Sequence, residues 1–82
     1  MTDADGTISV KLFAGLESRT PQCRSWCRFD PRETPTITAV IEALELEPGA
    51  AGLILVNGVH AGPGHVLGPG DEVALFPPLG GG

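Results

Sequence analysis

The chain has no tyrosine, one tryptophan, three phenylalanines, and no lysine or arginine beyond residue 32. An aromatic share of 5% offers little on which nucleic-acid bases could stack. A net charge of −5 opposes a polyanion as well, so nucleic acid is excluded as a partner class. Also missing is any apolar run near the roughly 20 residues of a membrane span. The acidic start Met1-Thr2-Asp3-Ala4-Asp5 leads into no apolar segment of the kind a secretory signal needs. The expectation is a protein with no membrane association and a cytoplasmic location. There Cys23 and Cys27, the only two cysteines, are thiols. Two cysteines fall short of the four ligands of structural zinc. Only His60 and His65 are available to complete a set, and the plainer reading is a pair of packed thiols with no metal site, with a redox or sulfur-relay role as the other alternative. No nucleophile–base arrangement is visible either. The chain is therefore expected to act without catalytic residues of its own.

What remains is enough for one small domain over residues 1–82, with 41% hydrophobic residues and a thin core. Charge is unevenly spread. All five basic residues lie within residues 1–32, beside four acidic ones, whereas residues 33–82 carry six acidic residues and no basic one. Such an acidic half suits a partner with a basic face, or merely solubility.

Period-two alternation marks Thr7 to Ala14 as a strand with Ile8, Val10 and Leu12 on one face. Gly15 to Pro21 reads as a polar connection. Gln22 to Phe29 alternates again, with Cys23, Ser25, Cys27 and Phe29 opposite Arg24, Trp26 and Arg28. Trp26 between two arginines is either an interaction patch or an indole covered by arginine stems. Ile37, Val40, Ile41 and Leu44 then fall at helical spacing, predicting a helix over about 38–46. Thr36 or Thr38 can cap its start, and Pro48-Gly49 is read as its stop. Leu53 to Val56 is a short apolar strand, with Leu53 and Leu55 assigned to the helix side. Asn57-Gly58 is a hairpin signal returning through Val59-His60-Ala61. Gly62 to Gly70 is glycine- and proline-rich, with Val66 and Leu67 as expected anchors. Its Gly-Pro-Gly steps precede no helix and so make no phosphate loop. Pro69-Gly70-Asp71 is a second turn, and Glu72 to Phe76 is the last strand, with Val73 and Leu75 inward. The resulting class is α+β: a mixed four- or five-stranded sheet with one main helix on one face.

The chain then runs Pro77-Pro78-Leu79-Gly80-Gly81-Gly82. Two prolines hold the backbone extended, and three glycines follow as a thread without side chains. A glycine-rich end is often only a frayed terminus, but fraying gains nothing from stiff prolines and a leucine beforehand. A thread that enters a narrow channel needs all three.

Three features occur together: Val56-Asn57-Gly58, then Leu67-Gly68-Pro69-Gly70-Asp71-Glu72-Val73, then Phe76-Pro77-Pro78 leading to the glycines. With the helix segment Thr36 to Leu44, they resemble the MoaD/ThiS-like sulfur carriers of ubiquitin-like β-grasp fold. The Phe-Pro-Pro ending looks most like the molybdopterin synthase small subunit. Residues 15–35 depart from the family pattern. The resemblance implies a flexible Gly-Gly tail and a working group at the carboxylate of Gly82. A ubiquitin-activating-type enzyme would adenylate it with ATP, the carrier itself holding no cofactor. Sulfur would then convert it to a thiocarboxylate for an acceptor enzyme such as the molybdopterin synthase large subunit, in molybdenum cofactor biosynthesis. Pro77, Pro78, Leu79, Gly80 and Gly81 would be read by partners as the tail. Phe76, Asp71 and Glu72, taken as close to where the tail leaves, would help dock them. The same tail would serve a carrier for thiamine, cysteine or tRNA thiolation, or a modifier conjugated through Gly82. An inert ubiquitin-like interaction domain would tolerate loss of Gly81 and Gly82.

Overall fold

The computed structural model describes residues 6–47 and 49–78. Ile8, Val10 and Leu12 are all buried while Lys11 between them is exposed, so the alternation read from the sequence forms strand β1 (Ile8–Leu12). Four further strands follow: β2 (Trp26–Phe29), β3 (Leu53–Val56), β4 (Val59–His60) and β5 (Glu72–Phe76). They form one mixed sheet in the order β2-β1-β5-β3-β4. The last strand thus lies at its centre, parallel to β1 and antiparallel to β3.

Helix α1 (Ile37–Ala43) buries Ile37 and Val40, and Leu44 at its C-cap is fully buried as well. Thr36 is the cap, its hydroxyl accepting from the Ala39 N–H at 3.1 Å. Thr38, the other candidate, instead donates its hydroxyl to the Pro63 carbonyl at 2.8 Å. The helix ends before Pro48-Gly49 is reached. Glu45 takes a φ of 58°, the Glu45 N–H bonds the Glu42 carbonyl, and the Leu46 N–H bonds that of Ile41. This is a Schellman closure with glutamate in the left-handed position that glycine usually fills.

Three readings of the sequence are corrected. The second strand starts at Trp26 rather than Gln22. The preceding segment turns at Gly15 (φ 87°) into a 3-10 turn, Leu16–Arg19. It buries Leu16, Thr20 and Cys23 against the core and leaves Ser25 exposed. In β3 the inward residues are Ile54 and Val56, while Leu53 is 38% exposed. Pairing decides this phase: Ile54 lies beside Leu75 and Val56 beside Val73, both already committed to the core. Finally, Val66 is 72% exposed and Leu67 alone anchors the glycine-rich stretch.

Asn57 and Gly58 both have positive φ, as a two-residue hairpin with matching twist requires. The core comprises Ile8, Val10, Leu12, Leu16, Ile37, Val40, Leu44, Val73 and Leu75, with Ile54 and Val56. Ile41, counted inward from the sequence, is half-buried and packs at the margin of this cluster.

Candidate functional site

The chain leaves the sheet from β5. Both neighbours hold the end of that strand: the Phe13 N–H donates to the Leu75 carbonyl at 3.0 Å and the Gly52 N–H to the carbonyl of Phe76, the last residue, at 2.8 Å. Pro77 and Pro78 follow without N–H groups, so no ladder continues through them. Pro77 is half-buried and Pro78 exposed. The exit is therefore a fixed point at the middle of the sheet edge, beyond which the chain carries no strand signal.

Phe76 lies half-buried on the sheet face away from α1. Its ring stacks on Phe13, centroids 4.7 Å apart and planes within 10°, an offset geometry worth about 0.5–1.5 kcal/mol beyond area burial. Leu53 is in register beside it. Phe13, Phe76 and Leu53 thus make an apolar step under the departing chain. Sequence reasoning singled out Phe76 alone and missed the other two, because the outward phase of β3 and the position of Phe13 just past β1 are products of pairing.

A second residue missed from the sequence is Gly52. A Cβ placed there would lie 2.7 Å from the Pro78 nitrogen and 2.9 Å from the Pro78 Cβ. Only a glycine lets the second proline pass this close to β3. The two prolines, Gly52, Leu53 and Phe76 line one shallow hollow of about 380 Å³. The tail residues Leu79, Gly80, Gly81 and Gly82 lie outside the described residues.

Asp71 and Glu72 occupy a different place from the one anticipated. Glu72 begins β5 with Asp71 just before it, and the tail leaves the strand's other end, so the whole strand separates them from the exit. Asp71 is also engaged within the molecule. Its carboxylate accepts from the Asn57 side-chain amide at 3.0 Å and from the Gly68 N–H at 2.8 Å. The Asn57 oxygen in turn accepts from the Glu72 N–H at 2.9 Å. Asp71 thereby ties the Asn57-Gly58 hairpin to the turn before β5, while the Glu72 side chain stays exposed.

The thiols and imidazoles do not meet. Cys27 lies on β2 and His60 on β4, the two opposite edges of the sheet, and among the described residues no three His, Cys, Asp or Glu side chains gather at a metal's distance. Cys23 and Cys27 are free thiols. Burial, then the hydrogen bond and charge of Cys23, push the Cys27 thiol up to about 12, so it stays protonated at neutral pH. Asp30 forms an exposed pair with Arg32 at 3.2 Å; the Arg32 backbone N–H and guanidinium hold its carboxyl below the usual range. Among the described residues no helix is long and apolar enough to cross a membrane.

One helix laid across a five-stranded mixed sheet, with the last strand at its centre and parallel to the first, defines a ubiquitin-like β-grasp fold. The family model of the ThiS family matches residues 10–82, and the chain belongs to that family. Among solved structures it is similar to SAMP1 from Haloferax volcanii, with 31% identity, 93% of this chain and 99% of that one covered, and a TM-score of 0.68. It is also similar to the H. volcanii small archaeal modifier protein 1, with 27% identity, 89% and 98% covered, and a TM-score of 0.65. Urm1 from Trypanosoma brucei shares the fold, at 23% identity, 93% and 95% coverage and a TM-score of 0.67. No curated protein matches at a significant level.

Proposed function

We propose that this protein is a sulfur carrier that acts through the carboxylate of Gly82. A carboxylate is a poor electrophile. A ubiquitin-activating-type partner would let it attack the α-phosphorus of ATP, releasing pyrophosphate and leaving an acyl-adenylate. A sulfur donor would displace AMP, and the resulting thiocarboxylate is a soft nucleophile deliverable into an acceptor enzyme. Gly80, Gly81 and Gly82 give the thread its narrow cross-section, Leu79 a single apolar handle, and Pro77 and Pro78 a stiff stem. The acceptor we favour is the molybdopterin synthase large subunit, in molybdenum cofactor biosynthesis, because the Phe76-Pro77-Pro78 ending resembles its small subunit. The one observation that carries the reading is the family match running through residue 82, so that the glycines belong to the matched pattern. The test is to combine the protein with an activating enzyme, ATP and a sulfide source and weigh it intact. Replacement of one oxygen by sulfur, lost when Gly82 is deleted, is the expected result.

A second reading has support of its own. A similar structure is named a small archaeal modifier protein, and conjugation to target lysines shares every step up to the acyl-adenylate. Target lysines carrying this chain through an isopeptide bond to Gly82, seen as a mass increase of the whole chain less one water, with no sulfur-containing product, would establish it instead.

A further inference from the structure

Helix α1 lasts seven residues, and the backbone turns away at Glu45. Past its end, the helix side of the β3–β4 margin is left as an open hollow of about 510 Å³, within the roughly 300–1,000 Å³ usual for binding pockets. Its apolar floor is Ile41 from the helix, Leu46 beyond it, Ile54 of β3 and Ala61 just past β4. Gly52 and Gly62 border it as well and bring no side chain to fill it. The walls are fixed by hydrogen bonds. The Thr38 N–H and hydroxyl both donate to the Pro63 carbonyl, at 2.9 and 2.8 Å. The Ala61 N–H donates to the Ile54 carbonyl at 2.9 Å. Such a recess needs little ordering to receive a partner.

Glu42 and Glu47, both exposed, stand at its rim. No lysine or arginine is among the described residues that line it, and none occurs beyond residue 32. The acidic half of the chain thus meets an apolar recess here, rather than at Asp71 and Glu72. An apolar side chain entering the hollow would take its floor out of water, and the two carboxylates select what flanks that side chain. The chain's own tail is the wrong match: after Leu79 come only glycines and a terminal carboxylate, of like charge to Glu42 and Glu47.

We propose that this hollow is a docking site for a basic segment of a partner protein, one that inserts an apolar side chain between flanking lysines or arginines. The apolar side chain would rest on Ile41, Leu46 and Ile54, and the cations would face Glu42 and Glu47. Gly52 also lines the hollow at the tail exit, so a partner held here stands beside the departing chain. The docking uses no atom of Gly82, so its test and that of the sulfur-carrier reading fail separately.

The probe is a short synthetic peptide with one central leucine flanked by arginine and lysine, titrated into the intact protein while backbone amide resonances are followed. The expected result is saturable shifts centred on Ile41, Glu42, Glu47, Ile54 and Ala61, weakened by added salt. The double variant Glu42→Gln, Glu47→Gln alters only exposed side chains and should weaken binding by about tenfold. Equal affinity for a peptide with glycine in place of the leucine would overturn the proposal, as would equal affinity for one flanked by glutamates. Unchanged binding by the double variant, shifts centred elsewhere, or no shift at millimolar peptide would do the same. So would shifts of the same size at these residues without peptide in either of two controls. Shifts that grow with protein concentration alone would make the occupant a second copy, and shifts on deleting residues 79–82 would make it the tail.

Discussion

Cys27 sits half-buried with its thiol facing the core, and its titration is displaced upward from 9.0 to about 12. In the unfolded chain the thiol releases its proton near the ordinary value, so the unfolded state gains charge first as pH rises. The contribution is fully present below about 9.0 and is lost as pH climbs toward about 12. Denaturation under reducing conditions should therefore show a fall in stability over that window, and Cys27→Ala should flatten it. Gly52 makes a second prediction. Its missing Cβ is the space Pro78 occupies, so Gly52→Ala should push the second proline off β3 and misdirect the tail. Activation by the adenylating partner, read as pyrophosphate release, should drop several-fold, while the midpoint of unfolding changes little because the displaced segment is peripheral.

Between residues and molecule, α1 shows where stability is concentrated and where it is given away. Leu44 is fully buried under the sheet, and Leu44→Ala should cost about 2–5 kcal/mol by chemical denaturation, from lost transfer energy and the cavity left behind. One residue later, Glu45 holds a φ of 58°, a backbone state disfavoured by about 1 kcal/mol or more for a residue with a Cβ. Glu45→Gly should therefore stabilise the protein by roughly 0.5–1 kcal/mol, which the same measurement would register as a higher midpoint.

For the molecule as a whole, the fold and the tail should respond to opposite sets of changes. The core is closed by β1, β3, β5 and α1, and the described residues beyond Phe76, Pro77 and Pro78, contribute no strand to it. Deleting Gly82, adding a residue after it, or making Gly81→Val should leave Tm within about 2 °C, as for substitutions outside the core. Each should abolish thiocarboxylate formation, because one residue changes the tail's reach by about 3.3–3.6 Å, beyond what a reacting pair tolerates. A Gly82 deletion that remained fully active would remove the basis for the sulfur-carrier reading.

Local chemistry settled much of this protein before any folding is considered. Ile8, Val10 and Leu12 alternate with polar neighbours, Ile37, Val40 and Leu44 repeat at helical spacing, and Asn57-Gly58 accepts positive φ. Each pattern carries its own period or backbone preference, so each was legible, and the proline–glycine ending was legible as a motif. The four residues Leu53 to Val56 are all apolar and carry no period. Only the pairing of Ile54 with Leu75 and Val56 with Val73 chose which two face the helix. Leu16 and Cys23 became core residues because a loop folded over the end of the sheet. Gly52 became part of the exit because β3 runs beside β5 there. Asp71 and Glu72, near the tail in sequence, were carried to the far end of β5 by a strand that advances about 3.3 Å per residue. Contacts between segments distant in the chain are set by which surfaces can be buried together, and that is decided only when the sheet is assembled.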